Sequence, residues 1–351
     1  MEKAWRILRA LPPVPSLVLW RRRLRRDDLV SRVLSSRAAV ERHYGLASVE
    51  ARPEAHLTAL PGGRVLAQPV AVLGPDWSLL WTYSPQLQRR PATSHTFWRR
   101  PPPPRALAGR ALFAAVDGFS YYHWLLGTLP KLLLARVAGP FDHYVLNPRH
   151  KGRENFQTES LRLFGVPPER AVWLDRGTHL HCAELVLPSE PCTHHQTQLT
   201  PWARELVREA LLPLARAHAA PPGPEKIYVT RSAARRRRLA NEAEVSAALQ
   251  ARGYTPVVLE SLPLLTQIKW LSEARSVVGL HGAGLANVVF CKPKTRLVEI
   301  VSSLWRNPCF RQLAAQCELD YSAVPGRGLI GGRVGFAADV EVDVSALLAT
   351  V

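Results

Sequence analysis

Four stretches of this chain carry groups at spacings that chemistry can use. The first is His281-Gly282-Ala283-Gly284-Leu285-Ala286-Asn287, placed after one apolar run and at the start of another. Two glycines at a strand-to-helix turn let backbone N–H groups come close to a ligand. The helix start adds about half a positive charge, so the turn suits a phosphate or another anion. Asn287 stands where a dinucleotide fingerprint has its third glycine, which weakens a nicotinamide reading. His281 reads as a ligand contact or as a satisfied turn histidine. The second stretch begins at Arg231, directly after the β-branched and aromatic run 226–230, and continues with Arg235, Arg236, Arg237 and Arg238. A guanidinium grips a diphosphate by bidentate hydrogen bonds and neutralises charge on a leaving group. Arg231 is the first candidate for that work and Arg235 and Arg236 the next, with the rest of the run solvated. The third feature is Glu299, near the expected end of a strand over 296–301, where a carboxylate can accept two ribose hydroxyl protons or face solvent. The fourth is Asp117-Gly118-Phe119-Ser120-Tyr121-Tyr122-His123-Trp124. Asp117 ends an apolar strand and His123 opens a helix. A neutral histidine can take a proton from an attacking hydroxyl near pH 7. A carboxylate can do the same or orient the histidine. The plainer alternative is a His123 that caps its helix or packs inside.

The elements that must position these groups follow from periodicity. From residue 226 the pattern gives strands at 226–230, 255–259, 276–280 and 296–301, separated by helical segments after Asn241, at 264–271 and at 284–290. Asn241 and Glu244 have the spacing of a capping box, and Gly253 stops that helix. The alternation implies a parallel sheet covered on both faces, whose ligands bind outside the carboxyl ends of the strands. The preceding segment reads as a second α/β domain. Its strands are expected near 65–73, 77–83, 111–116, 144–146, 172–174 and 184–187, with helices at 122–137 and 202–218. The resulting division is a basic leader with helices over 1–60, an α/β domain over 61–220, a second over 225–325, and a final segment over 326–351 that packs back on the first. The Pro221-Pro222-Gly223-Pro224 stretch reads as the linker between the two domains.

Length and composition agree. The 351 residues suit two domains, and 47% apolar with 21% charged residues excludes a disordered chain. Lys and Arg number 46 against 28 Asp and Glu, a formal net charge of +18 that favours anionic partners. Five cysteines in a chain this long, none closely spaced, do not form a disulfide framework, so a reducing compartment fits. The basic, tryptophan-bearing start (Trp5, Trp20, Arg21, Arg22, Arg23) lacks a small-residue cleavage site. It reads as a peripheral contact with an anionic membrane or as a solvated leader. The sequence holds no GxSxG elbow, P-loop, HExxH or short Asp-x-Asp element before a glycine loop. No metal is therefore expected, and arginines supply the positive charge instead.

Four motifs, in order, resemble glycosyltransferase family 61, including its bacterial capsular-polysaccharide type. They are YYHWLLGTLPKL (121–132), KIYVTR (226–231) with the later arginines and Asn241-Glu242, QIKWLSEARSVVGLHGAGLANVVF (267–290), and VEI (298–300). The resemblance implies two facing Rossmann-like domains in a GT-B arrangement and inversion at the sugar carbon. It also implies a nucleotide-sugar donor as co-substrate, with neither a cofactor nor a metal. It places Arg231, His281, Gly282, Gly284, Asn287 and Glu299 around the donor, and His123 in the cleft between the domains. Gln267 matches a recurrent family position. Gly127 stands where many relatives carry an acidic residue, and Ser120 and Tyr121 where relatives often have Asn. The expectation is an inverting glycosyltransferase of surface or capsular polysaccharide biosynthesis, with His123 or Asp117 as base. Its acceptor is a glycan or lipid-linked glycan, its place the cytoplasm or the inner face of the membrane, and no nucleic acid is bound. A non-catalytic protein binding polysaccharide or nucleic acid through its basic surface is the competing reading.

Overall fold

The apolar runs pair into two large sheets, each with its own core, and among the described residues a short pair, β11 (Cys192–Thr193) with β12 (Gln198–Leu199), makes a third. The structure is a computed structural model that describes residues 32–67, 69–84, 86–87, 101–148, 155–193, 197–329 and 335–351. The expectations for Trp5, Trp20 and the arginines of the leader lie outside these residues. The chain divides into two compact units. The first comprises Met1–Gly118, Leu134–Arg149 and Pro168–Glu190, and the second comprises Phe119–Leu133, His150–Pro167 and Pro191–Val351.

In the first unit the described residues form a mixed ten-stranded sheet. Strand β10 (His179–Pro188) runs through its middle, parallel to β7 (Arg105–Phe113) and antiparallel to β3 (Ala55–Pro61) and β4 (Arg64–Leu66). Strands β8 (His143–Leu146) and β9 (Ala171–Trp173) extend the parallel side. Strand β5 (Ala71–Leu73) pairs with β4 as a hairpin, and β6 (Leu79–Leu80) and β1 (Val33–Leu34) complete that edge. The expected strand over 77–83 shrinks to β6, because Trp77 takes a left-handed φ of 64° and residues Trp81–Tyr83 coil into a 3-10 turn. The described part of 1–60 holds one helix, α1 (Arg37–Tyr44), and is otherwise strands, including β2 (Ser48–Arg52) against β3. Residues such as Leu60, Val65, Phe113 and Leu185 fill the core at 0% exposure.

One polar cluster lies inside this core. The Ser189 hydroxyl donates to His56 Nδ1 at 2.6 Å and accepts from the His56 backbone N–H, while Tyr83 Oη lies 3.3 Å from Nε2. Burial first, and the nearby Arg37 charge second, push the His56 imidazole down to about 4.

The second unit is the doubly wound half. Strands β13 (Lys226–Val229), β14 (Thr255–Val257), β15 (Ser276–Leu280) and β16 (Arg296–Ser302) lie parallel in the order β14-β13-β15-β16, as the alternation predicts. Two further strands follow, β17 (Asp320–Gly328), parallel to β16, and β18 (Val340–Val342), antiparallel to β17. Strand β17 escapes sequence reading because DYSAVPGRG has a proline, two glycines and no alternation. The final segment, expected to pack back on the first domain, thus joins this sheet, and α8 (Val344–Leu348) adds Leu347 to its core.

Helices α3 (Phe156–Leu163), α4 (Pro201–Ala217), α5 (Glu242–Gln250), α6 (Leu264–Glu273) and α7 (Cys309–Gln316) belong to the same unit. The α5 boundary falls where expected, but Asn241 makes no cap. Its amide donates to Val342 O at 2.9 Å and so fastens β18. The Pro221–Pro224 stretch is no free linker. Lys269 Nζ donates to Ala220 O at 2.7 Å and Trp270 Nε1 to Pro221 O at 3.1 Å, which straps the segment along α6. The Arg208 guanidinium on α4 donates to the Val289 and Cys291 carbonyls, which ties α4 to this unit as well. All five cysteines are buried thiols outside any disulfide. Burial raises the thiols of Cys182 and Cys309 to about 12 and lifts those of Cys291 and Cys317. No helix among the described residues is long and apolar enough to cross a membrane.

His56 gives the first unit an acid limit. Its depressed folded value means that the unfolded chain takes up the proton first as pH falls. The stability held by the neutral ring is complete above about 6.5 and is lost as pH falls through about 4. Urea midpoints measured at pH 7 and pH 5 should fall in the wild type, and His56→Gln should flatten that fall.

Candidate functional site

The order β14-β13-β15 reverses the direction of winding between β13 and β15. Ligands of such sheets bind where the order reverses, outside the carboxyl ends of those strands. Thr230 and Arg231 leave β13 at that point, and His281 and Gly282 leave β15. The Thr230 hydroxyl and the Tyr228 hydroxyl (2.9 Å) both donate to the Glu242 carboxylate at the start of α5, which sets the path of the chain into the arginine run.

Arg231 is aimed by backbone. Its Nε donates to Arg237 O at 2.8 Å and its Nη2 to Arg236 O at 2.9 Å. A Cβ built on Gly282 would overlap Arg231 Nη1, so the guanidinium lies against the glycine turn. Gly282 is extended at φ −170°, so its value is close approach and not a left-handed turn. At Gly284 a Cβ would meet Leu259 Cδ1 at 3.3 Å and Val229 Cγ1 at 3.6 Å, so this glycine brings the helix down onto the sheet. A 3-10 helix, Ala283–Phe290, follows, so its first N–H groups start at this end of the sheet.

The run at 235–238 is resolved differently from expectation. Arg235 and Arg236 are exposed, and Arg236 serves Arg231 through its carbonyl. Arg237 turns inward at a left-handed φ of 52°. Its guanidinium lies 5.0 Å from the Trp305 ring centroid, and its Nη1 donates to Phe336 O at 3.0 Å. Burial, then the Arg231 charge, hold its pKa down to about 10, and burial also lowers that of Arg231. Arg237 and Trp305 are the residues that sequence reasoning missed. The backbone sign change that turns one arginine of four inward has no signature in RRRR, and Trp305 lies in a loop without pattern.

Glu299 corrects a second expectation. Strand β16 runs on to Ser302, so Glu299 lies inside it, opposite Gly279 and Ala323, and is 1% exposed. Its Oε2 accepts from Tyr321 Oη at 2.7 Å, and its Oε1 pairs with His281 Nδ1. Both carboxylate oxygens are thus engaged within the protein. Glu299 instead fixes the His281 ring, whose edge contacts are Trp305 and Phe310, each at 4.9 Å between centroids. Asn287 is likewise buried, at 0% exposure, with its amide bonded within the protein.

His123 opens a long helix, α2, over residues 121–135. It begins with Tyr121–His123, loosens into a π-turn at Trp124–Thr128 and tightens again at Leu129–Ala135. Pro130 explains the turn, since it has no N–H for the Leu126 carbonyl. The Cys192 thiol donates to that carbonyl at 3.5 Å. His123 is half-buried, with its ring 5.4 Å from Tyr122. Gly127 is buried within the π-turn. Asp117 belongs to the first unit and His123 to the second. No group of three or more His, Cys, Asp or Glu suited to a metal ion occurs among the described residues.

The arrangement can hold an anion between two desolvated guanidinium groups and a helix start. Gly282→Ala tests this locally. The flexible end of Arg231 can give way, so the fold should keep its melting temperature within about 3 °C, a change of less than roughly 1 kcal/mol. The rise in melting temperature produced by inorganic pyrophosphate should fall by at least half.

A sequence model described as Glycosyltransferase 61 matches residues 121–298, just over half of the chain. The match spans α2, the arginine run, α6, the glycine turn and the start of β16. Among similar proteins, beta-1,2-xylosyltransferase RCN11 of Oryza sativa subsp. japonica is 34% identical over 95 residues, covering 25% of this chain and 18% of that protein. Beta-1,2-xylosyltransferase of Arabidopsis thaliana is 31% identical over 67 residues, covering 19% of this chain and 12% of that protein. Both matches thus span less than a fifth of the relative's length. With the family's matched segment coinciding with the crevice-forming elements, the chain belongs to the glycosyltransferase 61 family.

Proposed function

We propose that this chain is an inverting glycosyltransferase that transfers a sugar, a pentose in our reading, from a nucleoside-diphosphate donor to a hydroxyl of a glycan. The observation that carries the proposal is the pair Arg231 and Arg237 at the strand-order reversal, with Arg231 laid against Gly282. Family membership supports the reaction class, and the names of the two plant relatives support the pentose. A GT-B arrangement, with the donor on the second unit and the acceptor on the first, belongs to the proposal. So do a lipid-linked or free glycan of surface or capsular polysaccharide as acceptor, and a place at the inner face of a membrane.

In the proposed reaction His123 takes the proton of the acceptor hydroxyl, with Asp117 as the second candidate base. The oxygen forms its bond to the anomeric carbon as the bond from that carbon to the diphosphate oxygen breaks on the opposite face. The electron pair leaves with the diphosphate, where Arg231, Arg237 and the N–H groups after Gly282 stabilise it. Two fixed guanidinium groups supply the charge that a metal ion would otherwise bring.

Purified chain assayed against a panel of nucleoside-diphosphate pentoses and hexoses, with and without chelator, tests the reading. NMR of the product anomer reads inversion. Arg231→Ala and Arg237→Ala should each lower kcat/KM at least about tenfold, since a charge-assisted contact is worth roughly 1.5–3 kcal/mol. Arg236→Ala keeps the carbonyl that aims Arg231 and should stay within about threefold. Wild-type turnover in Arg231→Ala overturns the assignment.

A further inference from the structure

Tyr121, Asn287 and Gln267, the last a family position without an assigned role, meet in one hydrogen-bonded chain. Tyr121 Oη donates to Asn287 Oδ1 at 2.7 Å. The Asn287 amide donates to Gln267 Oε1 at 3.0 Å and to Gly284 O at 3.3 Å. Gln267 Nε2 in turn donates to Leu262 O at 2.9 Å. A side-chain amide has two N–H donors, and both of those on Asn287 are spent on protein. Asn287 and Gln267 are 0% and 8% exposed. The chain thus runs from the first residue of α2, through the 3-10 helix behind the glycine turn, to α6.

Neighbouring contacts stiffen each link. The Tyr121 ring packs edge-on against Phe156 at 5.2 Å, and Trp124 Nε1 donates to Ser160 Oγ at 2.8 Å, so α3 braces the start of α2. The Glu159 carboxylate on α3 accepts from Leu264 N at 2.8 and 2.9 Å, which joins α3 to the start of α6. Burial holds the Tyr121 proton well above the ordinary phenol range, so the hydroxyl stays a donor at any working pH. The cluster is closed on itself: α2, α3, α6 and the 3-10 helix are each bonded to two of the others.

We infer that Tyr121 is a positioning residue, whose hydroxyl bond to Asn287 registers His123 against the glycine turn. His123 lies on the same helical turn as Tyr121, two residues on. The bond connects the start of α2 to the 3-10 helix that follows the glycine turn. Asn287 thereby acts through geometry and does not bind the donor. The inference rests on the donor site and the His123 role proposed above. Misplacement of reacting groups by about 1 Å can lower a rate 100-fold while leaving binding intact.

Tyr121→Phe removes the one hydroxyl and keeps the ring against Phe156. Gln267→Met removes the acceptor of the Asn287 amide at similar volume and serves if the first variant does not fold. Two readouts on the full chain separate positioning from binding. The first is pyrophosphate affinity by calorimetry together with the His123 titration by NMR. In the wild type, bound pyrophosphate should raise the His123 midpoint, as an added anion does to an imidazole. In Tyr121→Phe the affinity should stay within about threefold while that rise shrinks by at least half. The second is turnover of whichever panel donor the wild type uses, where kcat should fall about 10- to 100-fold with KM for the donor unchanged. A full His123 response in the variant, or wild-type kcat, overturns the inference. So does a tenfold loss of pyrophosphate affinity, which would make Asn287 part of the donor site. If the wild type turns over no donor at all, the proposed function fails, and the His123 titration still decides whether the register exists.

Discussion

Holding Arg231 against a residue without a side chain is the constraint from which the crevice is built. A guanidinium free in solvent would lose rotamer entropy to take up a fixed place. Here two carbonyls of the following loop carry that ordering, and Gly282 provides the space. The loop itself is held by Glu242 at its far end and by the left-handed turn at Arg237. The parallel sheet then determines where all of this happens, because β13 and β15 must be neighbours for their loops to meet.

Charge at the crevice is arranged with equal economy. The Glu299 carboxylate, which acts on Arg237, has its oxygens engaged by His281 and Tyr321. Arg231 is bonded to carbonyls and Arg237 to a carbonyl and an indole face, none of which carries a full negative charge. Burial disfavours the charge on both guanidinium groups, and the Arg231 charge further lowers the pKa of Arg237. That penalty is relieved when an anion enters, so differential stabilisation is available to a ligand whose charge grows during reaction.

The parallel sheet was legible because its strands are continuous apolar runs set between helical patterns, and SVVGL before HGAGLAN placed the turn correctly. The place of Arg231 at the carboxyl end of β13 was legible from the run KIYVT before it. What could not be read was direction. Nothing in RRRR says that Arg237 and not Arg235 or Arg236 faces inward, since one left-handed residue decides it. The internal bonds of Glu299 were hidden because His281 and Tyr321 come from other parts of the chain, and the role of Asn241 because its partner, β18, lies a hundred residues on. The division into units was hidden for a similar reason. Residues 119–133 and 150–167 precede the second sheet in sequence yet belong to its unit, where Tyr121 and Glu159 bond to its elements.

The buried cysteines carry a consequence of their own. A thiol attacks electrophiles and peroxide as the thiolate, and burial keeps Cys182, Cys291, Cys309 and Cys317 protonated well into the alkaline range. The folded chain is therefore inert toward alkylating and oxidising agents at these positions. Sulfur chemistry there becomes a clock for opening events, and the unit that breathes first is the one whose cysteines are modified first.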